Sequence, residues 1–242
     1  MDKSWEERTA LLIKEVGIQK LHNARLLVVG LGGVGSFAAE FLARAGVGHL
    51  TLVDGDTIDL TNINRQLPAL HSTIGQSKAK LVADRLKDIN PAIHLEVIPR
   101  FLNPEDIAQV LDSTSFDYVL DCIDSVSPKI ELIKQSRKRK IKIISCMGAG
   151  GKIDAGQIHV KDISKTYNCF LAKQIRKRIK KEANIDKGFK CVFSSELQDE
   201  ESLKLTDGTQ FKRSFYGTIS FIPAAFGLRA AAEVINYLVK KS

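Results

Sequence analysis

The chain has 242 residues, 44% apolar and 26% charged, a balance that excludes general disorder and leaves room for one large α/β domain. Its four cysteines, Cys122, Cys146, Cys169 and Cys191, form no CxxC pair, which argues against a zinc knuckle or disulfide framework and fits a reducing cytoplasm. The net charge of +8 is uneven: residues 1–133 hold 13 basic and 18 acidic side chains, residues 134–190 hold 17 and 4, and residues 191–242 hold 6 of each.

The N-terminus has no apolar targeting run. A helical pattern covers 5–22, and a buried strand follows at 26–29. A glycine-rich turn then leads into an apolar helix at 36–45, and a second strand at 49–53 ends in Asp54. Residues 76–89 read as a helix stopped by Asn90-Pro91, and 93–98 alternate as a strand. Asn103-Pro104 opens a short helix to about 111, and Tyr118-Val119-Leu120 is a buried strand ending at Asp121-Cys122. A helix at 128–139 and a strand at 141–145 extend the alternation, which predicts parallel βαβ units. After Gly148-Ala149-Gly150-Gly151 the period changes to a strand at 157–160, a basic helix at 169–182, a strand at 191–193 and a polar mobile loop at 196–213. The last apolar stretch, 215–239, reads as a core-packed helix rather than a membrane span, with Arg229 and Glu233 pairing on one face. No membrane partner is expected.

Gly30-Leu31-Gly32-Gly33-Val34-Gly35 stands between a strand and a helix, the context in which G-x-G-x-x-G binds a nucleotide. Gly30, Gly32, Gly33 and Gly35 let the backbone turn tightly and approach a phosphate, while the helix N-terminus supplies amide donors. Asp54 ends the next strand, where a carboxylate binds ribose hydroxyls. The fold expected is α/β: a Rossmann-like, doubly wound, mostly parallel sheet continued by a smaller mixed or antiparallel C-terminal part. All of 1–242 reads as one domain, an ATP-binding half to about 150 and a substrate-facing half beyond. The glycines alone leave NAD, FAD and ATP open. Arg65 and Lys78 favour ATP, since fixed cations beside the nucleotide stabilise departing pyrophosphate and hydride transfer has no use for them. Asn62, Asn64 and Gln66 could add hydrogen bonds, and Asp124 is placed to hold Mg2+ at the carboxyl edge of the sheet. Taken singly, Arg65 and Lys78 read as solvated charges; their order and spacing make them ligand candidates.

Together, the run from Arg25 to Gly35, Asp54-Gly55-Asp56, Asn62-Ile63-Asn64-Arg65-Gln66, Gly75-Gln76-Ser77-Lys78 and Asp121-Cys122-Ile123-Asp124 resemble the ubiquitin-activating E1-like superfamily, with its ThiF and MoeB adenylyltransferases. The resemblance covers about residues 5–165. It implies adenylation of a carboxylate, with the glycines around the phosphates and Asp54 on the ribose. Asn62, Arg65 and Lys78 would meet the triphosphate, Asp124 the magnesium, and Asp56, Asn64 and Gln66 would lie beside them. Arg8 resembles the arginine that reaches into the partner subunit's ATP site, which implies a homodimer; the alternative is an exposed helix charge. Asp124-Ser125-Val126-Ser127-Pro128-Lys129, the run from Gly148 to Asp154, and Cys191-Val192-Phe193-Ser194-Ser195-Glu196 extend the likeness to the tRNA threonylcarbamoyladenosine dehydratase group. That resemblance implies ATP-dependent dehydration of N6-threonylcarbamoyladenosine at tRNA position 37 through an acyl-adenylate, releasing AMP and pyrophosphate. It also implies a monovalent cation, Na+ or K+, near 191–217, and leaves room for a sulfur-transfer protein as partner.

The basic segment 134–190 then has a candidate partner. Lys134, Arg137, Lys138, Arg139, Lys140 and Lys142 form one cluster, and Lys173, Arg176, Lys177, Arg178, Lys180 and Lys181 another. They suit tRNA phosphates, against the alternative of solvated helix faces. Tyr167, Phe170 and Phe189 read as core, with base stacking as the alternative. Cys191 is the candidate for a thioester or sulfur acceptor, against a packing role at a strand start. Two rival functions stand beside the first. One is a ThiF/MoeB-type adenylyltransferase acting on the C-terminus of a ubiquitin-like sulfur carrier; the other is an NAD-binding regulator.

Overall fold

In the computed structural model, which describes residues 4–205 and 214–240, the apolar runs become one seven-stranded sheet. Strands β1 (Arg25–Val29), β2 (His49–Val53), β3 (His94–Ile98), β4 (Tyr118–Asp121), β5 (Lys142–Cys146), β6 (Ile158–Asp162) and β7 (Lys190–Ser194) lie in the order β3-β2-β1-β4-β5-β7-β6. Neighbours are parallel except β6, which runs antiparallel to β7. The α/β, mostly parallel expectation holds.

Among the described residues, seven α-helices cover the two faces: α1 (Glu7–Asn23), α2 (Gly35–Arg44), α3 (Lys78–Ile89), α4 (Pro104–Asp112), α5 (Val126–Lys138), α6 (Phe170–Ala183) and α7 (Phe221–Lys240). Alternate strand residues point to opposite faces, so both faces of β1 are apolar. Leu26 and Val28 pack with Leu42 of α2, Leu86 of α3 and Phe226 of α7. Leu27 and Val29 pack with Ile107 of α4, Ile133 of α5 and Ile175 of α6. Burial of each such side chain contributes about 1.5–3 kcal/mol. The chain winds from β1 out to β3, then returns to β4 on the other side of β1. A crevice therefore opens beyond the carboxyl ends of β1 and β4, where ligands bind in sheets of this kind.

Several expectations are refined. The first helix breaks at Lys14, whose φ of 64° interrupts α1. Helix α3 starts two residues late, because Gln76 and Ser77 stay in an extended segment that bonds to Ile58 and bridges Thr57. The 196–213 loop is partly ordered structure: a 3-10 turn at Glu200–Ser202 and a strand β8 (Leu203–Leu205) paired with β9 (Ser214–Tyr216). Residues 206–213 of that expected loop lie outside the described residues. Arg229 and Glu233 do not pair; Glu233 instead takes Lys190 at 2.5 Å, because β7 runs beneath α7. By length and composition α7 is apolar enough to span a membrane, yet it packs on α1, α2 and the strands β5 to β7.

Candidate active site

The crevice is built on the glycine loop between β1 and α2. Gly30 has φ of 89°, and a Cβ there would stand 2.8 Å from the Cys122 carbonyl oxygen. A Cβ on Gly35 would overlap the carbonyl of Gly30. Both glycines are therefore required by the protein's own backbone. Gly33 lies against Arg65 and Pro223. Gly32 differs: the nearest atom to a Cβ there is 3.7 Å away, on Gln66, so nothing in the protein excludes a side chain. The space over Gly32, beside the N-terminus of α2, is left for something else, and amides in that position suit phosphate.

Asp54 fastens this loop. Its Oδ2 accepts from the Leu31 amide at 2.6 Å and its Oδ1 from the Asp56 amide at 2.8 Å. Burial raises the Asp54 pKa above the usual carboxylate value, against the pull of these two amides and of Lys78. A ribose would have to share the carboxylate with the loop. Asp56 in turn holds the buried Lys78 ammonium at 2.9 Å.

The 3-10 turn Leu60–Asn62 carries the next group. Asn62 Oδ1 accepts from the Asp59 amide, and Asn64 Nδ2 donates to the Thr218 carbonyl at 2.8 Å. These two side chains shape the segment and tie it to residues after β9. Arg65 Nη1 donates to the Thr61 carbonyl at 2.8 Å and to Asn64 Oδ1 at 2.9 Å. Burial lowers its pKa, opposed by Asp124 and Asp59; a guanidinium stays charged regardless. Gln66 is buried against Gly32, and its Oε1 has no hydrogen-bond partner among the described residues. An orphaned buried acceptor costs about 1–3 kcal/mol, so this one fits a ligand donor such as a ribose hydroxyl.

The structure thus gathers the glycine loop, Asp54, Asp56, Asn62, Asn64, Arg65, Gln66 and Lys78 around one crevice, with Asp124 exposed after β4 and electrostatically coupled to Arg65. Arg8 does not join them within one chain: it is exposed on α1, with no ion pair among the described residues. Tyr167 and Phe170 are corrected from core to surface, 45% and 61% exposed at the start of α6, while Phe189 is core. Cys191 is fully buried in β7, and burial pushes its thiol well above the usual range, as befits packing rather than nucleophilic chemistry.

Sequence reasoning missed three residues. Phe101, 70% exposed after β3, presses its ring on Gly55 beside Asp54. Lys129 is fully buried and donates to Asp121 Oδ2 at 2.8 Å, Ser145 Oγ at 3.2 Å and the Cys146 carbonyl at 2.9 Å. It locks the ends of β4 and β5 beneath the crevice. A lysine flanked by Ile130, Leu132 and Ile133 on an apolar helix face was the signal. The third, Lys152, is buried in the loop after β5.

The ThiF family model matches residues 6–242. The chain belongs to the ThiF family. Within the family it is 38% identical to the tRNA threonylcarbamoyladenosine dehydratase of Escherichia coli over 258 residues, covering 99% of this chain and 96% of that protein. It is 40% identical to the enzyme of the same name from Bacillus subtilis, covering 96% and 94%. The solved structure of E. coli tRNA N6-threonylcarbamoyladenosine dehydratase, TcdA, in complex with ATP is similar with a TM-score of 0.89, covering 99% of this chain and 97% of that one. The E. coli protein has also been solved with AMP. In this chain the glycine loop, the Asn62–Gln66 segment and Lys78 are the parts on which a nucleotide reading rests.

Proposed function

We propose that this protein uses ATP to dehydrate N6-threonylcarbamoyladenosine at position 37 of tRNA. The observation that carries this is full-length likeness to dehydratases of that name, joined to a crevice that offers an open glycine, an orphaned acceptor and two placed cations. The substrate's free carboxylate attacks the α-phosphorus of ATP, and pyrophosphate leaves. The base's own carbamoyl nitrogen or oxygen then attacks the acyl carbon, a proton leaves the carbamoyl nitrogen and AMP is expelled. The net change is loss of one water, and ring closure gains from proximity.

In this reading the α2 N-terminus and Gly32 receive the phosphates. Gln66 Oε1 and the shared Asp54 carboxylate receive the ribose, and Phe101 flanks the adenine. Arg65 and Lys78 neutralise charge on the departing pyrophosphate. Asp124, exposed at the carboxyl edge of the sheet after β4, is the residue that would hold Mg2+ with phosphate oxygens and waters, an ion that draws charge from the phosphates. A monovalent ion near 191–217 would share carbonyls of Gly151, Ser202 and Gly217 that already accept protein hydrogen bonds. Arg8 would act from a partner subunit docked on α1, whose Leu11, Leu12 and Val16 are 69%, 82% and 63% exposed. A cytoplasmic setting accords with the four free thiols.

The basic segment divides in space. The first cluster sits at the amino edge of the sheet, away from the crevice, where Arg137 donates to the Gly188 carbonyl and Arg139 pairs with Asp112. Lys173, Lys177, Lys180 and Lys181 form an exposed stripe along α6, opposite its buried Ala172, Ile175 and Ile179. Tyr167 and Phe170 stand at the crevice end of that stripe. We place the tRNA arm along it, bases towards the two rings and phosphates on the lysines.

The test is incubation with ATP, Mg2+ and tRNA bearing the modified base, followed by nucleoside mass spectrometry. Loss of one water is expected, and Arg65→Ala should lower kcat/KM by about 10²–10³-fold. Pyrophosphate exchange that appears only on adding a ubiquitin-like protein would instead favour a sulfur-carrier adenylyltransferase.

A further inference from the structure

One buried cation beside the crevice has no ion-pair partner among the described residues. Lys152 is 3% exposed, and its ammonium donates to the main-chain carbonyl of Glu196. No carboxylate among the described residues lies within ion-pair distance of it. Glu196 turns its own carboxylate the other way, onto the amides of Ile153 at 3.0 Å and Asp154 at 2.9 Å. Burial pushes the Lys152 ammonium below the usual lysine range, and the charges of Cys169 and Glu196 oppose that. The backbone just before the lysine is tied on both sides. Gly151 donates to the Gly217 carbonyl at 2.7 Å, and Asp199 donates to the Gly151 carbonyl at 3.0 Å.

Lys152 lines a cavity of about 740 Å³ together with Asn64, Glu196, Asp199, Thr218 and Ser220. Asn64 joins this cavity to the nucleotide crevice, because its Oδ1 takes Arg65 Nη1 at 2.9 Å. A bond to one carbonyl could be made by a neutral donor without stripping water from a charge. Keeping an ammonium here is costly unless an anion comes to meet it. A carboxylate is the anion that the dehydration chemistry brings, and the cavity wall at Asn64 is bonded to Arg65, where ATP is proposed to bind.

Resting on the dehydratase reading, we propose that Lys152 is the seat of the substrate's threonyl carboxylate, holding it at the cavity wall that adjoins the nucleotide crevice before adenylation. Once the carboxylate is esterified to AMP its charge is gone and the pair with Lys152 weakens, which frees the acyl group to turn towards the carbamoyl nucleophile. Lys152 thereby selects a substrate with a free acid.

The experiment uses Lys152→Met and Lys152→Arg with the full chain. Binding of the nucleoside N6-threonylcarbamoyladenosine and of its methyl ester is measured by calorimetry, with a non-hydrolysable ATP analogue present. The wild type should prefer the acid by about tenfold or more, the size of one charge-assisted contact. Lys152→Met should abolish the preference and raise KM for modified tRNA at least as strongly, with ATP affinity unchanged and a melting temperature no lower than wild type. Lys152→Arg should keep the preference. Retention of the acid preference and the wild-type KM in Lys152→Met would overturn the assignment. So would a joint fall in melting temperature and ATP affinity in both variants, which marks a purely structural lysine. If the wild type fails to dehydrate modified tRNA, the functional reading falls first and takes this inference with it.

Discussion

Single side chains in this crevice do two jobs, and substitutions separate them. Glu40 on α2 binds Arg85 of α3 and Arg44, so it ties the helix whose N-terminus is proposed to receive the phosphates to the helix that begins with Lys78. Burial pushes its pKa up, but the hydrogen bonds from the two arginines outweigh that and hold it below the usual value of 4.5. A depressed carboxylate stabilises the fold above its unfolded pKa, and that contribution is lost as pH falls through the folded pKa. Denaturation midpoints measured from about pH 6 down to pH 3 should therefore fall more steeply in wild type than in Glu40→Gln. Lys129 makes the opposite kind of case. Both members of its pair with Asp121 are fully buried, so Lys129→Met should cost about 3–5 kcal/mol in denaturant unfolding by leaving a lone carboxylate in the core. Adding Asp121→Asn should recover part of the loss, which a double-mutant cycle measures. The glycine loop was legible in sequence because its spacing is fixed by local backbone geometry. Lys129 showed only as a lysine on an apolar helix face and Lys152 not at all, because whether a lysine is buried depends on what packs over it from distant parts of the chain.

At the level of elements, the central strands could be read from runs such as Leu26-Leu27-Val28-Val29, since burial on both faces leaves no polar phase. The break at Lys14 carries no Gly or Pro to announce it, and the β8–β9 ladder joins three-residue segments whose pairing is non-local. The charge of α6 was visible, but its meaning needed the helix to be turned: Ile175 and Ile179 go inward and Lys173, Lys177 and Lys180 outward. Replacing those three lysines with glutamine should weaken tRNA binding and shrink the slope of log K against log salt by about one per lysine, with ATP affinity unchanged. The same change at Lys138 and Lys140, on the far edge of the sheet, should have a smaller effect. Filter binding across a salt series distinguishes the two sets.

For the whole molecule, the decisive question is whether one chain completes a site. Arg65 lies in the crevice and Arg8 on an exposed, apolar-sided helix, which predicts sites assembled from two chains. Neither Arg8→Ala nor Arg65→Ala should be active alone. Mixed and re-equilibrated, they should recover about a quarter of wild-type activity, because half of the dimers are mixed and each of those has one intact site. Absence of recovery, with dimers present by sedimentation, would return Arg8 to the role of a surface charge.

The link from Leu31 through Asp54 to Asp56 and Lys78 has a consequence for how a nucleotide is sensed. Asp54 grips the glycine loop and the Asp56 backbone at once, and the Asp56 side chain positions the lysine. In the proposed binding mode, sugar and triphosphate would be registered by one linkage rather than by two independent contacts. A disturbance at the sugar end would then pass along three residues to the cation at the other, with a single carboxylate as its pivot.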